Sequence, residues 1–119
     1  NAMGVSYDNI GEHEKAVAYY KLALKVDPKL DYVHNNLGYS YLLQGHNAEA
    51  ADAFRNAIAL NGKEKRYRNN LGLVHVKLDQ YDLALEQFRA SETEANAVAK
   101  LAKVMRDLGK KGDAAMIAR

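Results

Sequence analysis

The residues of this chain best placed to do chemistry are amides and amines. Asn35-Asn36 and Asn69-Asn70 recur 34 residues apart, in NNLGYSYLLQG (Asn35 to Gly45) and NNLGLVHVKLD (Asn69 to Asp79). A carboxamide carries both a donor and an acceptor. Asn36 and Asn70, in matching places, could therefore bond successive peptide units of an extended chain whatever its side chains. The other use of the same amides is to bond neighbouring backbone or water. Lys100, Lys103 and Arg106 stand at spacings of three. On a helix that spacing makes one basic stripe, suited to an acidic ligand segment or simply to solvation.

Catalytic and metal constellations do not emerge. His13, His34, His46 and His75 are scattered, and no pair of them shares a helix face with a carboxylate, so packing and surface roles are expected over metal ligation. Ser6, Ser40 and Ser91 have no evident base and orienting acid for nucleophilic attack. The glycines follow no strand and are not spaced as a phosphate loop. The absence of cysteine excludes disulfides, thiolate metal sites and a cysteine nucleophile, and leaves the compartment open. A non-enzymatic chain without metal or cofactor is expected.

The elements that position these groups follow from the repetition. Shifted by 34, the sequence aligns Gly4, Gly38 and Gly72; Tyr7, Tyr41 and His75; and Gly11, Gly45 and Asp79. It also aligns Ala16, Ala50 and Ala84, then Tyr20, Phe54 and Phe88, and closes on Ala23, Ala57 and Ser91. A fixed period of this kind marks a solenoid, in which one unit cannot bury its apolar face alone and stacks on copies of itself. In each copy the apolar residues fall at helical spacing in two stretches broken near Gly11, Gly45 or Asp79. Each unit therefore reads as two antiparallel helices joined by a tight turn.

Helices are expected up to Asn9 and near 12–26, 31–44, 47–60, 65–78, 81–92, 95–108 and 112–119. The glycine column is expected where the second helix crosses the first so closely that backbones approach, with Ala50 and Ala84 answering from the other side. Pro28 ends a second helix, since it lacks the N–H that would continue the ladder. For the fourth unit a shift of 30 fits better, pairing Leu71 with Leu101, His75 with Met105 and Asp79 with Gly109. About one helical turn has been lost before Leu101, so a shortened helix or abbreviated turn is expected near Ser91 to Ala95.

Leu37-Gly38, Tyr41, Ala50, Phe54, Ala57 and Pro28 together resemble the tetratricopeptide repeat, over nearly the whole chain. His34, Arg68 and His75 depart from the pattern, as do Gly62 and Asn96, which stand where the family has proline. The resemblance implies an all-α fold without strands, a right-handed superhelix of antiparallel hairpins. One domain over 1–119 is expected, with repeats at about 1–30 (truncated at its start), 31–64, 65–94 (shortened) and 95–119 (incomplete). Asn1-Ala2 before Met3 reads as a cloning remnant, so an excised fragment is expected. The NNLG phrasing and the shortened third repeat look like bacterial Tad-type pilus-assembly repeat proteins, which implies a role in a secretion or pilus machine.

In a stacked array of hairpins the first helix of each unit lines the concave side. Helical spacing from the Gly38 and Tyr41 columns puts Tyr32, Asn36, Tyr39 and Leu43 there. Arg66, Asn70, Leu73 and Lys77 follow in the next unit, then Lys100, Lys103 and Arg106. These are the expected peptide-binding residues, with Asn36 and Asn70 as backbone anchors; relatives that thread peptides use asparagines in the matching place. Asn35 and Asn69 are expected at the rim or between units. Only fragments of the family's carboxylate clamp appear, Asn36 with Arg66 or Asn70 with Lys100, which disfavours chaperone tails as ligand.

The net charge is +2, too small to imply nucleic acid by itself. From Asn96 onward six basic residues face two acidic ones, so the tail carries +4 and residues 1–95 carry −2. With a groove of tyrosine and leucine, that balance favours a protein or peptide partner over single-stranded RNA. A second reading is a self-associating scaffold, a homo-oligomer through apolar end units near Met3 to Tyr7 and Met116 to Ala118. No apolar run approaches the roughly 20 residues of a membrane span, and no signal peptide is visible, which leaves cytoplasm and periplasm both open.

Overall fold

The computed structural model of the chain describes residues 2–109. Those residues form α1 (Ala2–Asn9), α2 (His13–Val26), α3 (Asp31–Leu43), α4 (Asn47–Leu60), α5 (Lys65–Lys77), α6 (Tyr81–Ser91) and α7 (Glu94–Asp107). No strand occurs among them. Wherever a described helix end was expected, it falls within one residue of the expectation. The helix expected at 112–119 lies outside the described residues, as do Lys110, Lys111 and Arg119 of the basic tail and the end unit near Met116.

Helices α1, α3 and α5 end in the same local motif. His46 N–H bonds Tyr41 O at 2.9 Å and Gly45 N–H bonds Leu42 O at 3.1 Å, the paired bonds that satisfy the last carbonyls of a helix when the next residue turns left-handed. Glu12 N–H bonds Tyr7 O at 2.8 Å and Gln80 N–H bonds His75 O at 2.8 Å in the same places. The left-handed residues are Gly11, Gly45 and Asp79, with φ of 82°, 80° and 59°, and then Gly109 at 69°. Gly109 confirms the 30-residue register of the last unit. Asp79 is the one non-glycine residue among the described residues with positive φ. A side chain in that conformation costs about 1–2 kcal/mol, partly offset because glycine loses more entropy on folding. Asp79→Gly is thus expected to raise stability by about 0.5–1 kcal/mol, read as a higher urea midpoint at unchanged slope.

The chain packs as two compact units, Asn1–Tyr67 and Arg68–Arg119. In the first, hairpin α1/α2 lies on hairpin α3/α4 through α2 and α3. Ala16, Tyr20, Val33, Leu37 and Ala53 form its buried cluster. The glycine column is explained here, with a correction. The close neighbour of Gly38 is the ring of Phe54, not a helix backbone: a methyl group on Gly38 would stand 2.7 Å from Phe54 Cε1, and one on Gly4 2.6 Å from Tyr20 Cε1. The two columns are therefore one device, an aromatic ring packed against the glycine of the helix it faces.

Tyr67, on the first turn of α5, closes this unit. Its ring is 2% exposed, and its hydroxyl donates to Asp31 Oδ2 at 2.7 Å, where Asn61 Nδ2 also donates at 3.3 Å. The starts of two successive first helices are joined by that carboxylate. The neighbouring hydroxyl holds the Asp31 carboxyl below its ordinary range, and burial followed by the bond to Asp31 pushes Tyr67 up to about 12.

The second unit repeats the glycine device, since a methyl on Gly72 would overlap the Phe88 ring. Its core is Val76, Ala84, Leu85, Phe88, Ala97, Leu101 and Met105. Both expected forms of the missing turn occur. Helix α6 has 11 residues where α2 and α4 have 14, and only Glu92 and Thr93 separate it from α7. The sharp corner has its own fastenings. Thr93 Oγ1 accepts from Asn96 N–H at 3.3 Å as the N-cap of α7. Arg89 forks onto both oxygens of Glu94, at 2.7 and 2.8 Å.

Candidate functional site

The first unit carries a depression of ≈ 200 Å³ on its first-helix face, lined by Val5, Asn9, Tyr20, Asn35, Asn36, Tyr39 and Leu43. Three of the expected residues, Asn36, Tyr39 and Leu43, meet there because they lie at i, i+3 and i+7 on α3. Tyr39 and Leu43 are 46% and 49% exposed, too much for core side chains of their size. Val5 and Asn9, from α1, were not among the expected residues. Their signal was present in the register, for they stand 34 residues before Tyr39 and Leu43. No charged side chain lines the depression. It presents three carboxamides beside aromatic and aliphatic carbon, which suits main-chain amides and one uncharged side chain of a ligand.

Tyr32 is exposed on the first turn of α3 and Arg66 on the first turn of α5. Arg66 Nε lies 3.2 Å from Glu64 Oε1. A larger hollow of ≈ 390 Å³, lined by Gly11, Glu12, His13, Glu14, Lys15 and Gln44, has charged turn residues around it and no apolar anchor. The histidines take up packing and turn places. His34 Nε2 lies 2.9 Å from Pro28 O, so that nitrogen carries the donated proton. His75 is 4% exposed, with Nδ1 2.9 Å from Gln80 Oε1. Among the described residues no group of three or more histidines or carboxylates is placed to hold a metal.

In the second unit Asn70, Leu73 and Lys77 are half-buried along α5, and Lys103 and Arg106 are exposed on α7. Lys100 is half-buried and internally engaged, with Nζ 3.2 Å from Glu92 Oε1 and 5.8 Å from the centroid of the Phe88 ring. Asn69 is not at the rim: its Oδ1 accepts from Ser91 Oγ at 3.1 Å, tying α5 to α6 inside one hairpin. No helix among the described residues is long and apolar enough to cross a membrane.

Successive helical hairpins, each joined at its tip by the same left-handed turn, define a helical repeat protein. The chain belongs to the tetratricopeptide repeat family: models described as TPR repeat and tetratricopeptide repeat match residues 7–45 and 35–99. Members of this family generally act as protein-interaction scaffolds without catalysis. Protein bimA of Emericella nidulans is 29% identical over 99 residues, which are 82% of this chain and 12% of that protein. Protein CTR9 homolog of Arabidopsis thaliana is 32% identical over 93 residues, covering 74% of this chain and 8% of that one. The chain thus spans about a tenth of the length of these relatives. The solved first TPR of Spaghetti (RPAP3), bound to HSP90 peptide SRMEEVD, shares the fold with a TM-score of 0.78 at 19% identity, over 92% of each chain.

Proposed function

We propose that the protein is a non-enzymatic scaffold that holds an extended peptide or a partner helix on the faces of its first helices. The observation that carries this reading is the uncharged depression in which Asn36, Tyr39 and Leu43 come together with Val5 and Asn9. Tyr39 and Leu43 supply apolar contact, with Tyr32 and Leu73 continuing it, and Asn36 and Asn70 bond the ligand main chain. Lys103 and Arg106 offer exposed cations to an acidic stretch, and Lys100 joins them only by leaving Glu92. The peptide bound by the Spaghetti repeat supports a peptide ligand as a class. The missing clamp residues argue against the same acidic chaperone tail. A place in a bacterial secretion or pilus-assembly machine rests on the NNLG phrasing and the shortened third repeat.

The test is a peptide selected on the intact chain from a random display library and measured by calorimetry. Asn36→Ala with Asn70→Ala is expected to weaken binding by about 1–3 kcal/mol in total, the loss of two amide anchors. Unchanged affinity in a double variant with native helicity would remove the anchoring role. Tyr39→Ala is expected to cost about 1–2 kcal/mol of affinity as a truncated contact residue.

A further inference from the structure

Asn-Gly occurs once in the sequence, at Asn61-Gly62, in the turn between α4 and α5. Every other asparagine is followed by a residue with a Cβ. Both members of the pair are exposed. Asn61 is the C-cap of α4, with φ −149° and ψ 79°, and its N–H bonds Ala57 O at 2.9 Å. Among the described residues the Gly62 N–H enters no backbone bond of this turn. Left-handed backbone does not require glycine here either, since the glycines of positive φ are Gly11, Gly45 and Gly109.

The matching pair one repeat earlier is Asp27-Pro28. Asp27 caps α2 in nearly the same backbone, with φ −143° and ψ 99°, and with the same bond from its N–H to Ala23 O. A proline nitrogen has no proton to give up, so it cannot act as a nucleophile in that turn. Gly62 restores the N–H and removes the side chain that would crowd it.

The Asn61 amide also holds the fold. Its Nδ2 donates to Asp31 Oδ2 at 3.3 Å, the oxygen that accepts the Tyr67 hydroxyl at 2.7 Å. Whatever turns this donor into an acceptor acts on the joint between the starts of α3 and α5.

We propose that Asn61 is a site of spontaneous deamidation, and that the carboxylate it becomes loosens the Asp31–Tyr67 joint. Opening of the turn, held by Glu64 N–H on Asn61 O at 3.3 Å, lets ψ of Asn61 rotate. The deprotonated Gly62 nitrogen then attacks Cγ. The N–Cγ bond forms, the Cγ–Nδ2 bond breaks, and ammonia leaves with the proton which that nitrogen gave up. Water opens the resulting succinimide, its hydroxyl going to one of the two carbonyl carbons and its proton to the nitrogen. The product is aspartate, or isoaspartate with one more carbon in the main chain. Nothing is oxidised or reduced. Aspartate sets a charged acceptor where Nδ2 donated, so the bond to Asp31 is lost and like charges face each other.

The test incubates the intact chain in neutral and in mildly alkaline buffer and follows its peptide masses. The fragment holding Asn61 is expected to gain about 1 Da, NH exchanged for O, ahead of the other asparagines and faster at the higher pH. Gly62→Pro, which copies the Asp27-Pro28 turn, is expected to stop the gain while keeping native helicity. Asn61→Asp, which makes the charged product at once, is expected to lower the thermal midpoint by about 2–5 °C, and by less in high salt. In an Asp31→Asn background the same substitution is expected to cost nothing measurable, because the two residues act through one contact. A gain led by another asparagine, or one that survives Gly62→Pro, would overturn the site. An unchanged midpoint in Asn61→Asp, or an equal fall in the Asp31→Asn background, would overturn its effect on the joint.

Discussion

Phe54→Ala is expected to destabilise the first unit by about 3–5 kcal/mol, the largest single-residue effect on its folding. The ring is fully buried, and the loss combines its transfer out of water with a cavity that flat helix faces cannot close. Domain stabilities are of order 5–15 kcal/mol, so the loss shows as a large fall in the thermal midpoint followed by circular dichroism. Gly38→Ala tests why the cavity would stay open. The added methyl meets the ring at 2.7 Å, an overpacking cost of about 1–3 kcal/mol that the roughly 1 kcal/mol gain in helix propensity only partly offsets. In a Phe54→Leu background the ring edge is gone and the methyl has room. The two substitutions together should then cost less than their sum, by about 0.5–3 kcal/mol for residues in contact. Strict additivity would mean that the glycine answers something other than the ring.

Tyr67→Phe is expected to cost about 1.5–3 kcal/mol, the range for a hydrogen bond to a charged group, while leaving the buried ring in place. It also predicts two changes in pH dependence. Asp31 has a folded pKa below its ordinary 3.8. Its contribution is therefore complete above that value and is lost as pH falls through the lower, folded one. Tyr67 has a folded pKa raised from 10.0 to about 12. The proton is held more tightly in the native state, so stability from this group is complete below pH 10 and is lost as pH rises toward 12. A shift of that size corresponds to on the order of 3 kcal/mol. In an ultraviolet titration of the phenols Tyr67 should ionise late, and Tyr67→Phe should remove that step. A titration unchanged by the substitution would refute the pairing with Asp31.

Much of the fold was legible because its signals are local. Gly11, Gly45 and Asp79 marked the turns, and each proved to be left-handed; such turns are made by bonds reaching only five residues back. The 30-residue register of the last unit was legible for the same reason, since Gly109 makes its own turn wherever the rest of the unit goes. The glycine column was correctly located but wrongly explained. Periodicity shows that a small residue faces the second helix. Whether backbone or an aromatic ring fills the space depends on the rotamer of Phe54, which spacing does not specify.

The candidate site divides along the same line. Asn36, Tyr39 and Leu43 share a face of one helix, and helical spacing alone groups them. Val5 and Asn9 lie on another helix, and only the packing of α1 and α3 against α2 sets them around the same hollow. The basic stripe shows the converse. Lys100, Lys103 and Arg106 are equivalent by spacing, yet Glu92 and the Phe88 ring take up Lys100, because the shortened corner between α6 and α7 brings those groups within reach.

The sequence by itself determined the period, the hairpins, the turn at each of their tips and the helix faces on which the asparagines and tyrosines stand, since all of these follow from short-range geometry repeated along the chain. Tertiary structure alone decided which polar groups pair. Tyr67 reaches Asp31 across 36 residues and Ser91 reaches Asn69 across 22. A hydrogen bond needs two atoms within about 3 Å, and at such separations only the packing of one helix on another can bring them there.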